Sequence, residues 1–99
     1  MNDVVRRVVI RGRVQGVGYR AWVEHQSSRL GLRGWVRNRR DGSVEALFVG
    51  TEDIVASMVA SCQHGPSSAR VDDVAEESTD AGTLELRRAG EAFSVLPTI

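Results

Sequence analysis

The hydrophobic period of the chain changes across Gly12-Arg13-Val14-Gln15-Gly16-Val17-Gly18-Tyr19-Arg20, and this change constrains the fold more than any other feature. Before it, residues 4–14 alternate, with Val8, Ile10, Gly12 and Val14 on one face and Arg7, Arg11 and Arg13 on the other. That is the period of a strand buried on one side. After it, Tyr19, Val23, Ser27 and Leu30 recur every three to four residues with Trp22 beside them, which predicts a helix of roughly three turns stopped near Gly31. Gly16 and Gly18 sit at the junction. Glycine takes positive φ without a Cβ clash, so the loop can turn its N–H groups inward. The helix N-terminus adds unpaired donors and a partial positive charge. Such a loop suits an anion, and Arg20 at the helix mouth adds a planar fork of donors matched to phosphate or carboxylate.

The remaining elements follow from the same periodicities. Residues 32–38 return to period two, Asp41-Gly42 marks a hairpin, and residues 43–49 form its second strand. Thr51 can cap a second helix whose first turn carries Glu52 and Asp53 and whose buried face is Ile54, Val55, Met58, Val59 and Cys62. Gly65-Pro66 ends it. Residues 69–74 read as a fourth strand, with the three-residue spacing of Val71 and Val74 signalling a bulge. The closing strand falls either at 83–88 or at 92–96, and the pattern does not choose. The fold class is therefore α+β: a ferredoxin-like βαββαβ sandwich over residues 1–99, an antiparallel sheet of four to five strands with two helices on one face.

This order carries a functional consequence. From the glycine loop the helix descends about 18 Å and the next strand climbs about 20 Å. Asn38 therefore arrives at the loop's end of the sheet. With one strand between them the lateral gap is about 10 Å, which the side chains of Arg20 and Asn38 can close around a small ligand.

Charge is unevenly placed. Residues 1–50 carry ten arginines against four acids and residues 51–99 three against nine, so a net charge of zero hides opposite halves. There is no lysine, which removes Schiff-base and lysine-nucleophile chemistry. An arginine-rich front half suits an anionic ligand or a nucleic-acid surface, although most of these arginines are equally explained as solvated surface. Cys62 stands alone and cannot form an internal disulfide, and no apolar run approaches the length of a membrane span. A cytoplasmic setting is expected.

Gly16-Val17-Gly18-Tyr19-Arg20-Ala21 formally satisfies a dinucleotide fingerprint, with Asp41 about 20 residues on. But Asp41 belongs to a hairpin turn, and a chain of 99 residues cannot build a doubly wound sheet. A P-loop is excluded because no Gly-Lys-Ser/Thr is present. What remains is a cradle for one phosphate.

Gly12 to Arg20 resembles the first signature of the acylphosphatase family. Gly34-Trp35-Val36-Arg37-Asn38, with Gly42, Val44 and Gly50 at the expected offsets, resembles the second, and Gly65-Pro66 with Ala69-Arg70-Val71 extends the likeness over residues 5–75. Phe93-Ser94-Val95 fits the family's closing strand, whereas residues 83–88 depart from it. The resemblance implies hydrolysis of the carboxyl-phosphate anhydride of small acyl phosphates without metal, cofactor or covalent intermediate. It implies that the amides of Gln15, Gly16, Val17, Gly18, Tyr19 and Arg20, with the Arg20 side chain, hold the phosphate, and that Arg20 and Asn38 are catalytic, Asn38 orienting the water. The expected partner is a small-molecule acyl phosphate, not a nucleic acid, metal or membrane, and a monomer is the expected unit.

Other reactive types have plainer explanations. His25 and His64 read as surface residues, Cys62 lies on an apolar stripe, and Ser27 and Ser28 have no neighbouring base. Trp22 and Trp35 read as packing residues, Trp35 on the face away from the core. Two other functions fit the pattern less well: an RNA-binding module, against which stands an aromatic content of only 5%, and a non-catalytic anion sensor.

Overall fold

The computed structural model describes residues 3–99. In chain order it contains β1 (Val4–Arg13), α1 (Tyr19–Arg29), β2 (Arg33–Asn38), β3 (Val44–Gly50), α2 (Glu52–Cys62), β4 (Arg70–Ser78), a 3-10 turn (Gly82–Leu86) and β5 (Phe93–Val95). The sheet order is β4-β1-β3-β2-β5. The first four strands pair antiparallel, but β5 pairs parallel to β2, so the sheet is mixed rather than wholly antiparallel. The closing strand is thus the later of the two candidates, and residues 83–86 lie in the 3-10 turn.

One face of the sheet packs under both helices. Val8 and Ile10 from β1 and Val14 just beyond it meet Tyr19 and Val23 from α1 and Val55, Met58 and Cys62 from α2. Each fully buried aliphatic side chain contributes about 1.5–3 kcal/mol. The predicted helix faces are slightly too wide: Leu30 and Ile54 remain exposed, while Ser27 is buried. Thr51 precedes α2, but its side chain makes no capping bond, so Glu52 and Asp53 in the first turn are what complement the helix dipole.

The expected bulge is present. Arg11 faces Asp73 but Gly12 faces Val71, leaving Asp72 as the extra residue. Gly12 allows it, because at φ 133° a Cβ there would lie 2.2 Å from the Arg70 carbonyl oxygen. β4 then runs beyond Val74 to Ser78, since the β1 backbone offers ladder partners that far. The acidic run is in this way drawn alongside the arginine-rich strand, and Arg7 Nη1 donates to Glu77 Oε1 at 3.0 Å.

The opposite face is not bare. Trp35, placed off the core by alternation, is 1% exposed and packs with Leu47, Val49 and Leu96 in a second apolar cluster. Its indole N–H donates to the Thr83 carbonyl at 2.8 Å, and the Arg37 guanidinium lies 4.6 Å from the ring centre. Beside it, buried Glu45 accepts from Arg7 Nε at 2.6 Å and from Arg37 Nε at 2.7 Å. Two front-half arginines are thereby neutralised within the fold, which reduces the basic surface available to a polyanion.

Burial works to raise the Glu45 carboxyl pKa, but the hydrogen bonds from Arg37 and Arg7 outweigh it and hold the group below its ordinary value. A lowered folded-state pKa contributes stability that is complete above the unfolded value of about 4.3 and is lost as pH falls through the folded one. The thermal midpoint is therefore expected to drop below about pH 4, and Glu45→Gln to show a shallower acid limb with a loss of about 1–2 kcal/mol at neutral pH. Parallel acid limbs in thermal melts of the two proteins would remove this role from Glu45.

Candidate functional site

The loop joining β1 to α1 has the left-handed turns its sequence demands. Gly16 lies at φ 72° and Gly18 at φ 81°, flanking Val17, so successive N–H groups turn to one side. Helical bonding begins only with Trp22, whose N–H reaches the Gly18 carbonyl at 3.0 Å. Among the described residues no protein acceptor takes the N–H groups of residues 16–20.

Three separate elements hold this loop. Gln15 Nε2 donates to the carbonyls of Arg39 and Ser43, both at 2.8 Å, tying the loop to the β2–β3 turn. Ser68 Oγ donates to the Val17 carbonyl at 2.8 Å. The buried Tyr19 hydroxyl donates to the Cys62 carbonyl at 2.7 Å, fixing the start of α1 to the end of α2. Burial pushes the Tyr19 hydroxyl pKa upward, so it remains a neutral donor. The donors are thus oriented before any ligand arrives.

The cavity over the loop has a volume of about 270 Å³ and is lined by Gly16, Gly18, Tyr19, Arg20 and Asn38, together with Val14, Ala21, Glu24 and Val95. Five of the seven expected site residues therefore meet in one place. Gln15 and Val17 do not line it: the Gln15 side chain is spent as the clamp just described, and Val17 packs against the core. Arg20 makes no hydrogen bond or ion pair with the protein among the described residues, leaving its guanidinium for the cavity.

Asn38 closes β2 opposite Val44, with β3 standing between it and β1. Its backbone is fixed on both sides: its carbonyl accepts from the Ile99 N–H at 3.1 Å, and the next N–H, of Arg39, donates to Ser43 at 2.8 Å. Its side-chain oxygen is buried and has no hydrogen-bond partner among the described residues. An unpaired buried acceptor costs about 1–3 kcal/mol, so its retention beside a polar cavity points to a donor from outside the protein.

Asp41 has a turn role. Its Oδ1 accepts from Ser43 Oγ at 2.5 Å and from the Ser43 N–H at 2.9 Å, which lowers its pKa and occupies it within the hairpin. His25 and His64 are exposed and line no part of the cavity. Cys62 is buried, its thiol pKa pushed up to about 12 by loss of solvent, so it is not an available nucleophile. No group of three or more His, Cys, Asp or Glu positioned to hold a metal occurs among the described residues. None of the described helices is long and apolar enough to cross a membrane.

Glu24, Val95, Ser68 and Ile99 were not anticipated at the site. Helical spacing from Arg20 to Glu24, one turn, is the signal that finds Glu24. Val95 and Ile99 carry no such signal, because their position depends on which tail segment joins the sheet.

Comparisons with known proteins identify the family. A profile of the Acylphosphatase family matches residues 6–88. The chain is 66% identical to the acylphosphatase of Bradyrhizobium diazoefficiens, and 60% identical to that of Nitrobacter hamburgensis, in each case over 99 residues and the whole of both chains. It superposes on the crystal structure of acylphosphatase from Bacillus subtilis with a TM-score of 0.81 at 33% identity, covering 94% of this chain and 98% of that one.

Proposed function

This chain belongs to the acylphosphatase family and hydrolyses acyl phosphates, and from that premise we propose how its residues divide the work. The loop amides from residues 15–20 and the Arg20 guanidinium hold the phosphoryl oxygens, and the Asn38 side-chain oxygen accepts a hydrogen bond from the attacking water. The observation that carries this reading is the pairing, across one cavity, of an uncommitted arginine with a buried, unpartnered amide oxygen.

The chemistry asks little more of the protein. Water forms a new bond to phosphorus, the bridging P–O bond breaks with its electron pair leaving on the carboxylate, and the water's proton ends on the product phosphate. A carboxylate of pKa about 4 departs without a general acid. Catalysis then consists of aligning water with the phosphorus and stabilising charge on the equatorial oxygens, both of which suit rigid donors. Every residue in this scheme comes from one chain, so a monomer suffices.

Release of phosphate from benzoyl phosphate in the presence of a chelator, inhibited competitively by inorganic phosphate, is the expected result. Turnover by folded protein that inorganic phosphate does not compete with would place the reaction outside this cavity.

A further inference from the structure

We propose that Glu24 determines acyl-group specificity, disfavouring acyl phosphates whose acyl portion carries a second negative charge and favouring neutral or cationic ones. The inference rests on the phosphate being held at the loop by Arg20, as proposed above.

Glu24 lines the same cavity as Arg20. It lies four residues further along α1, so it shares Arg20's face about 6 Å further from the loop. Despite this spacing, the two side chains form no ion pair, and Glu24 has no hydrogen-bond partner among the described residues. The cavity lining therefore combines loop amide donors and a guanidinium with the small apolar side chains of Ala21 and Val95 and with a carboxylate that α1 carries one turn beyond Arg20.

A phosphoryl group seated on the loop leaves its acyl group to the rest of the lining, which includes Ala21, Val95 and Glu24. The phosphoryl end is read by several donors, whereas among the described lining residues the charge left to read the acyl end is that of Glu24. Two like charges within a few ångströms at a partly solvated site repel by an amount between the values for water and for the interior, enough to change relative rates by about tenfold. The carboxylate also stands in the path of a substrate entering backwards, with its phosphate toward Glu24. It thereby favours the productive orientation.

The test uses three rigid substrates that differ only at the far end of the ring: benzoyl phosphate, 4-carboxybenzoyl phosphate and 4-(aminomethyl)benzoyl phosphate. In the unmodified protein kcat/KM is expected to rank cationic above neutral above anionic. Glu24→Gln is expected to raise kcat/KM for the anionic substrate about tenfold relative to the neutral one, mainly through KM, and to level the ranking. Glu24→Arg is expected to invert it, and 0.5 M salt to compress it. Unchanged ratios among the three substrates in Glu24→Gln, with benzoyl phosphate turnover normal, would overturn the role of Glu24 alone. If benzoyl phosphate turnover proved independent of Arg20, the reading of the site itself would fall. Glu24→Ala, compatible with the helix, gives the same ratio test if Glu24→Gln folds poorly.

Discussion

Arg20→Ala is expected to lower kcat/KM for benzoyl phosphate by about a thousandfold, ~4 kcal/mol, and to remove competitive inhibition by inorganic phosphate. The magnitude follows from what is lost. Loop amides carry only partial charges, and Arg20 is the full positive charge in the cavity lining. Its guanidinium has no protein partner among the described residues, so its removal breaks no internal bond and should leave the thermal midpoint nearly unchanged. Arg20→Lys restores charge without the two-pronged fork and should recover only part of the activity. Phosphate inhibition that persists undiminished in Arg20→Ala would show that the anion is held elsewhere.

Asn38→Ala is expected to behave differently, with kcat falling about a hundredfold to a thousandfold while phosphate still inhibits within about threefold of its normal strength. The distinction follows from the proposed division of roles, in which Asn38 addresses the water and not the phosphate. Stability supplies an independent check. The Asn38 side-chain oxygen is buried without a partner among the described residues, so deleting it should leave the protein as stable as before, or more stable by up to about 1 kcal/mol. A slower enzyme that is not less stable is the signature of a polar group kept for function. Loss of phosphate binding equal to that in Arg20→Ala, measured by inhibition, would refute this division of roles.

Much of this was legible in the residues because the signals are local. The change of period at Gly16 and Gly18, the hairpin at Asp41-Gly42 and the bulge near Val71 each depend on a handful of neighbouring residues, and each appears where expected. Counting rise per residue puts Asn38 at the loop's end of the sheet, because strand and helix advance at fixed rates.

Features that depend on distant partners were not legible. Trp35 was seen to alternate away from the helices, but its burial is produced by a turn nearly 50 residues later, whose Thr83 carbonyl accepts its N–H. The loop sequence assigns Gln15 a role through its backbone, yet its side chain bonds to the turn that follows Asn38, so it ties the loop to that turn. The parallel pairing of β5 decided which tail residues reach the cavity, bringing Val95 to its wall and Ile99 to the Asn38 backbone.

By itself the sequence determined the kinds of element, their order and the left-handed turns of the glycine loop, since periodicity and glycine conformation act over a few residues. Only the tertiary structure decided that Arg20 stays uncommitted, that the Asn38 oxygen is left unpaired and that Glu24 faces the same cavity, because a polar group's partners are set by whatever the rest of the chain brings within about 3 Å.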